Sequence, residues 1–293
     1  MNIRALGHFL ALAEHLHFGR ASIACDISIS ALSRNIRQLE EETGATLFNR
    51  DNRAVSLTAK GQRFQQYAKD ATRQWQLVCN ELTERENELQ GEISLYCSVT
   101  ASYSILFDLL NRFRPDYPGI EIKLHTGDPE DAISRIVAGE EEVAIAAMPR
   151  SVPRGVVFKS IAMSPLLFIA PLERGDLKVP AAKAVEQWSQ VPMILAESGI
   201  ARTRVNDWFR ALGVSPRIYA QVAGNEAIVS MVSLGLGIGV VPKIVIDNSP
   251  LADRIQVLDI KPRLEPYNLG LFTLKRSLAN PLVDAFFNLV ETA

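Results

Sequence analysis

Residues 28–44 read SISALSRNIRQLEEETG, and the reading of this stretch decides the fold. Ser28 and Ser30 offer hydroxyls that can cap a helix start, and Gly44 offers a C-terminal stop. Between them Leu32, Ile36 and Leu39 fall on one helical face, while Ser33, Arg34, Arg37 and Gln38 fall on the other. One face packs and the other is left to read. A helix with hydroxyl and guanidinium groups on its outer face can enter a major groove, so Ser28, Ser30, Ser33, Arg34 and Arg37 are candidate DNA-binding residues.

Upstream, Leu6, Phe9, Leu10, Ala13 and Leu16 form the stripe of an amphipathic helix. Phe18-Gly19-Arg20 is expected to turn the chain, and Ala21–Ala24 to form a short second helix ending near Asp26. Downstream, Leu47-Phe48 and Val55-Ser56-Leu57 flank the basic, polar turn Asn49-Arg50-Asp51-Asn52-Arg53, which predicts a hairpin, or wing. Arg50 and Arg53 at its tip would hold phosphates, fixing register without specifying sequence. Charge alone leaves a second reading open, a solvated face on a small helical domain, because Glu40, Glu41 and Glu42 follow directly.

From Thr58 to Leu89 the only helix breaker is Gly61, near the start. Phe64, Ala68, Ala71, Trp75, Val78, Leu82, Arg85 and Leu89 alternate spacings of four and three, the pattern of a coiled-coil seam that Arg85 interrupts. A lone helix with such a stripe has nowhere to bury it, which predicts pairing with the same helix of a second chain. Gly91 ends the segment.

Beyond Gly91, short apolar runs alternate with helical stretches, as in an open parallel sheet. Strands are predicted at 93–98, 120–125, 142–147, 166–170, 192–196, 217–222, 238–241 and 268–274, and helices at 101–114, 129–138, 201–212, 225–235 and 281–291. The expected organisation is a DNA-binding domain over 1–58, a dimerisation helix over 59–90 and an α/β domain over 91–293. The last would have one lobe at 91–162 and 267–293 and a second at 163–266.

A chain of 293 residues with 47% hydrophobic and 22% charged residues can bury real cores, which excludes disordered and fibrous classes. The net charge of -2 neither supports nor excludes nucleic acid, since DNA binding needs only a local basic face. Cys25, Cys79 and Cys97 form no CxxC pair and read as buried thiols. The start lacks an export signal, and no apolar run approaches the roughly 18 residues that span a bilayer. A cytoplasmic protein without a membrane partner is expected.

Phe18-Gly19-Arg20-Ala21, Ser28, the run Ala31 to Gly44, Leu47-Phe48-Asn49-Arg50 and Leu57-Thr58-Ala59-Lys60-Gly61 jointly resemble the signature of the LysR family of transcription regulators. Cys25 stands where that family usually has leucine. Gly235-Leu236-Gly237-Ile238-Gly239-Val240-Val241-Pro242 is similar to the glycine-rich stretch late in the family's effector domain. A dinucleotide fingerprint would follow a strand and open a helix; here the order is reversed, so tight helix-to-strand packing is the better reading.

The resemblance implies a winged helix-turn-helix and linker helix followed by a two-lobed α/β effector domain of the periplasmic-binding-protein kind. It implies double-stranded promoter DNA, RNA polymerase and a small carboxylate inducer as partners, a homodimer or homotetramer as the assembly, and no cofactor. Within the family, Phe48–Arg53, Tyr96–Ser104, Glu121–Asp128 and Gly224–Val232 resemble an activator of the acetohydroxy acid isomeroreductase gene of isoleucine and valine biosynthesis. That likeness implies acetolactate or acetohydroxybutyrate as inducer.

In an open α/β sheet ligands sit beyond the carboxyl ends of strands, here in a cleft between lobes. Ser98, Thr100 and Ser102 follow the strand 93–98 and meet a helix start, where hydroxyls, free amides and the helix dipole would favour a carboxylate. Thr126, Gly127, Met148, Arg202 and Asn225 are further effector-binding candidates by their strand-end or helix-start positions. Arg202 has two readings, a partner for the carboxylate across the cleft or an exposed helix arginine that is merely solvated.

Two other classes and one variant of this reading compete. Catalysis is disfavoured because His125 is the only histidine outside the first domain, no GxSxG, HExxH or P-loop occurs, and Asp128 and Glu226 read as solvated or capping groups. No catalytic or metal-binding residue is assigned. A solute-binding protein without DNA contact would look much like 91–293, but the N-terminal module argues against it. A regulator of another pathway, sensing a different small carboxylate, remains the alternative within the family.

Overall fold

The computed structural model describes residues 2–51, 54–82, 89–173 and 185–290, divided between two compact units, Met1–Leu89 and Gln90–Ala293.

The first unit contains α1 (Ile3–His15), α2 (Phe18–Ala24), α3 (Ile29–Thr43), the hairpin β1 (Phe48–Asp51) and β2 (Ala54–Leu57), and α4 (Ala59–Leu82). Phe18-Gly19-Arg20 opens α2 instead of turning the chain. The reason is His17, whose Nδ1 accepts the amides of Gly19 at 3.1 Å and Arg20 at 3.2 Å and so caps a helix start three residues early. Ser28 caps α3 by accepting the Ala31 amide at 3.2 Å, and Gly44 closes it in the left-handed region.

Leu6, Phe9 and Leu12 of α1 meet Leu32, Ile36 and Leu39 of α3 in a core completed by Leu47, Phe48 and Ala68. Phe9 stacks at 5.2 Å on Phe48 and edge-on at 4.9 Å against Phe64. The stripe along α4 therefore divides. Phe64, Ala68 and Ala71 pack into the unit's own core, whereas Trp75 and Val78 stand 53% and 45% exposed. The expectation that the whole seam faces a second chain is corrected: its first third is already buried within this one. Arg85 lies outside the described residues.

Gly61 fixes the close approach of α4 to the hairpin, because an added β-carbon there would lie 2.0 Å from the Leu47 carbonyl oxygen. Thr58 completes the joint. Its hydroxyl donates to the Thr46 carbonyl at 2.8 Å and accepts the Gly61 amide at 2.9 Å.

The second unit runs, in chain order, β3 (Gly91–Cys97), α5 (Val99–Ser102), α6 (Ile105–Phe113), β4 (Ile120–Thr126), α7 (Asp131–Ala138), β5 (Val143–Ala147), β6 (Val156–Ser164), β7 (Leu166–Pro171), β8 (Pro192–Ala196), α8 (Gly199–Ala211), β9 (Arg217–Val222), α9 (Asn225–Ser233), β10 (Ile238–Pro242), α10 (Lys243–Asp247), β11 (Ile255–Leu258), β12 (Tyr267–Leu274) and α11 (Pro281–Asn288). Its strands form two sheets of order β4-β3-β5-β12-β6 and β11-β7-β10-β8-β9. Each sheet is covered on both faces, the first by clusters around Leu95 and Phe272 and the second by clusters around Trp208 and Ile228.

Only β4-β3-β5 and β10-β8-β9 are parallel. The sheets are mixed, which corrects the expectation of an open parallel sheet. The chain leaves the first sheet after β6 and returns as β12, which enters antiparallel to both β5 and β6. In the second sheet β7 is antiparallel to β10 and β11. The predicted helix 101–114 is broken between Ser102 and Ile105.

The glycine-rich stretch packs as its sequence suggests. A β-carbon at Gly237 would press to 2.3 Å from the Pro192 carbonyl, and one at Gly239 to 2.5 Å from Ile228 of α9. Small residues let α9 lie close on the sheet.

Candidate functional site

The outer face of α3 presents Ser30, Arg34 and Arg37 to solvent, with Ser33 half-buried beside them. Arg34 and Arg37 make no hydrogen bond or ion pair with any described residue, so their guanidinium groups are free to engage a partner. The inner face is held by Leu32, Ile36 and Leu39 and by a 3.0 Å contact between Asn35 and His8 Nδ1. Burial and the charge of Arg4 lower the His8 pKa, keeping its imidazole neutral in that contact.

Arg50, expected to hold phosphate, is engaged within the unit. Its Nη2 is 2.6 Å from Glu40 Oε2, while its guanidinium lies over Phe18, 5.5 Å from the ring centre. The other oxygen of Glu40 accepts the amides of Leu47 at 2.8 Å and Phe48 at 3.2 Å. The wing arginine is thus a brace between α3 and the hairpin. Arg53 lies outside the described residues.

Within the second unit a cavity of about 380 Å³ opens beyond the carboxyl ends of β3 and β8, between the sheets. The first lobe contributes Ser98, Thr100, Glu130 and Arg150 to its lining, the second Ser198, Arg204 and Asn225, and Tyr267 stands where the chain returns to the first sheet. Side-chain ties cross between the lobes. The amide of Thr100, at 3.1 Å, and its hydroxyl both donate to Oε1 of Glu226. Ser198 Oγ donates to Glu130 Oε2 at 2.6 Å, and Arg150 meets Asp207 at 2.7 Å. The hydrogen bond from Arg150 lowers the Asp207 pKa, so this tie stays charged into mild acid.

Arg204 is the more buried of the two arginines that line the cavity. Its side chain is only 11% exposed, with Nε 3.1 Å from Glu265, Nη1 2.9 Å from the Pro266 carbonyl and the guanidinium over the Tyr267 ring. Those contacts leave Nη2 without a protein partner among the described residues. Burial pushes the Tyr267 phenol up to about 12, against the opposing influences of Arg204 and a hydrogen bond from the Ala201 backbone. The ring therefore stays a neutral wall beneath the cation.

Residues 3–62 match the bacterial regulatory helix-turn-helix of the lysR family, and residues 86–293 match the LysR substrate binding domain. The chain belongs to the LysR family. This LysR-type regulator is 41% identical over 293 residues to the HTH-type transcriptional activator IlvY of Salmonella typhimurium, covering 99% of each chain. It is 42% identical over 292 residues to the activator of that name in Haemophilus influenzae, covering 99% of this chain and 100% of that one. Among solved structures it superposes on a full-length OxyR variant from Pseudomonas aeruginosa with a TM-score of 0.71 at 20% identity, covering 99% of this chain and 94% of that one. Full-length CbnR in complex with its target DNA gives a TM-score of 0.66 at 22% identity and 99% coverage of both. These likenesses place the chain among DNA-binding regulators with an effector domain, and not among enzymes.

In this LysR-type chain Ser98, Thr100 and Asn225 come together in the cavity lining, as the strand-end argument expected. Ser102, Thr126, Gly127, Met148 and Arg202 do not. Ser102 turns back to the Val99 carbonyl at 2.7 Å. Thr126 is exposed at the end of β4. Gly127 makes room for the Tyr96 hydroxyl, and Met148 packs in the cluster around Phe272. Arg202 is fixed outside by the Ala196 carbonyl at 2.8 Å, Gln221 at 2.7 Å and Asn206 at 3.1 Å.

The inward arginine is Arg204, two residues on and roughly 200° around the helix. Helical phase relative to Ala201 and Val205, which are buried, was the signal that would have separated the two. Glu226, expected to be solvated or capping, bridges the lobes. Helix dipole does not explain Thr100, because α5 is one turn long; the donors themselves do.

Proposed function

We propose that this LysR-type protein activates transcription of an acetohydroxy acid isomeroreductase gene when acetolactate or acetohydroxybutyrate enters the cavity. The observation that carries the reading is the cavity itself: in a largely apolar wall that also holds Asp128, Glu130, Glu197 and Arg150, the hydroxyls of Ser98 and Thr100, the amide of Asn225 and the buried guanidinium of Arg204 suit a small acid bearing a hydroxyl and a ketone. Arg204 and the Thr100 donors would take the carboxylate in charge-assisted bonds, and Ser98 and Asn225 would supply the remaining polar contacts. Identity of 40–42% along the whole chain to regulators named IlvY supports the assignment.

On this reading residues 1–58 bind DNA, 59–90 pair two chains through the exposed Trp75 and Val78, and 91–293 sense the metabolite. Two reading heads then contact two half-sites of an interrupted palindrome, and dimers join as a tetramer. Inducer changes the angle between dimers, relaxing a DNA bend and engaging RNA polymerase.

The test combines a mobility shift on the fragment upstream of the isomeroreductase gene with calorimetry. Binding that weakens steeply with salt, and heats from acetolactate and acetohydroxybutyrate but not from a simple 2-keto acid, are expected. Equal affinity for all the acids would point to a different effector. An unchanged footprint and bend on addition of an activating inducer would rule out the bending mechanism.

A further inference from the structure

The two lobes are built alike around the cavity. Each alternates strands with helices, β3-α5-α6-β4-α7-β5 in the first and β8-α8-β9-α9-β10 in the second. In the first lobe the turn after β3 carries Ser98 and Thr100; in the second the turn after β8 carries Ser198 and Gly199. Each turn receives a carboxylate from the other lobe, and from the matching place in it. Glu226, in the first turn of α9, reaches Thr100, and Glu130, immediately before α7, reaches Ser198. The protein thus holds a carboxylate at both equivalent positions of its cleft.

At Thr100 the hold is the stronger one. The residue is 3% exposed, and its amide and hydroxyl converge on a single oxygen of Glu226. Thr100 lines the cavity while Glu226 stands behind it, next to Asn225. An acid in the cavity therefore meets donors already taken by an anion of the same chemistry.

Resting on the effector reading above, we propose that Glu226 is an internal competitor for the effector's carboxylate and sets the concentration at which inducer acts. An entering anion takes the Thr100 donors and releases Glu226 towards solvent, which unties the second lobe from the first at that point. When a binding-competent form is only a fraction of the population, apparent affinity falls by that fraction. If Glu226 holds Thr100 in about nine molecules of ten, its removal tightens binding on the order of tenfold.

Calorimetry on the full chain tests this with acetolactate and its methyl ester as probes. Glu226→Ala is expected to bind acetolactate on the order of tenfold more tightly than the parent protein, and Glu226→Gln, which keeps the shape of α9 and an acceptor for Thr100 but loses the charge, to gain part of that. The ester, which lacks the charge, should gain far less. Glu130→Gln loosens the same cleft without freeing Thr100 and should not tighten either probe. Unchanged or weaker acetolactate binding in both Glu226 variants, or an equal gain for the ester, would overturn the competition while leaving the effector reading intact. Failure of acetolactate to bind the parent and both variants would bring down the effector reading and this proposal with it.

Discussion

Glu40 and Arg50 are joined at 2.6 Å, so the acidic run in the last turns of the reading helix and the basic wing answer each other within the first unit. From sequence, the run Glu40-Glu41-Glu42 left open a solvated face on a small helical domain. Glu40 is instead a structural acceptor, holding the Leu47 and Phe48 amides together with the arginine.

Replacing Glu40 with alanine leaves two amides of buried residues without their acceptor. A loss of roughly 2–4 kcal/mol is expected, seen as an earlier first transition on thermal melting. Arg50→Ala should cost less, about 1–2 kcal/mol, because one charge-assisted bond is lost at a half-exposed site. If Arg50 is a brace, the dependence of DNA affinity on salt keeps its slope in that variant. A slope reduced by about one would return Arg50 to the phosphate contacts.

Arg34 gives the opposite pattern. It is exposed and has no partner among the described residues, so Arg34→Ala should leave the melting curve unchanged. Operator affinity should fall by about 1–3 kcal/mol, roughly fivefold to somewhat over a hundredfold, with discrimination against random DNA reduced. Operator binding retained at parent strength would remove Arg34 from the reading set.

Much of this was legible in the sequence because local rules act alone there. Ser28, Leu32, Ile36, Leu39 and Gly44 state a helix, its cap, its buried face and its end within one stretch. The strands of both sheets whose apolar runs are continuous were equally readable. β6 was missed because Lys159 and Ser160 interrupt it and much of it is exposed, and β11 because it spans only Ile255–Leu258. The cavity was half legible. Strand ends give Ser98 and Thr100, but partners such as Glu226 are 126 residues away along the chain, and no spacing rule joins them.

Gly61 should tolerate no side chain. The clash at 2.0 Å is with a backbone carbonyl, which cannot rotate aside, so Gly61→Ala must shift α4 away from the hairpin. The cost is on the order of 3 kcal/mol, and the first thermal transition should fall by about ten degrees or more. DNA binding should be lost at temperatures where the second unit remains folded. A variant that melts like the parent would show that α4 can rise without penalty.

Gly199 faces a different neighbour, and the outcome differs in kind. Its φ is +86°, and an added β-carbon would fall 1.6 Å from Glu130 Oε1, the movable end of a side chain. Gly199→Ala should therefore fold, with a strain of about 1–2 kcal/mol from the left-handed backbone, while driving Glu130 off Ser198. Glu130→Gln weakens the same tie by removing its charge. Two changes that act on one contact cannot each take it away, so the double variant should bind acetolactate no more weakly than Gly199→Ala alone. Calorimetry on the two single variants and the double variant checks this. Effects on affinity that simply add would mean that Gly199 acts through its backbone, with Glu130 an independent neighbour.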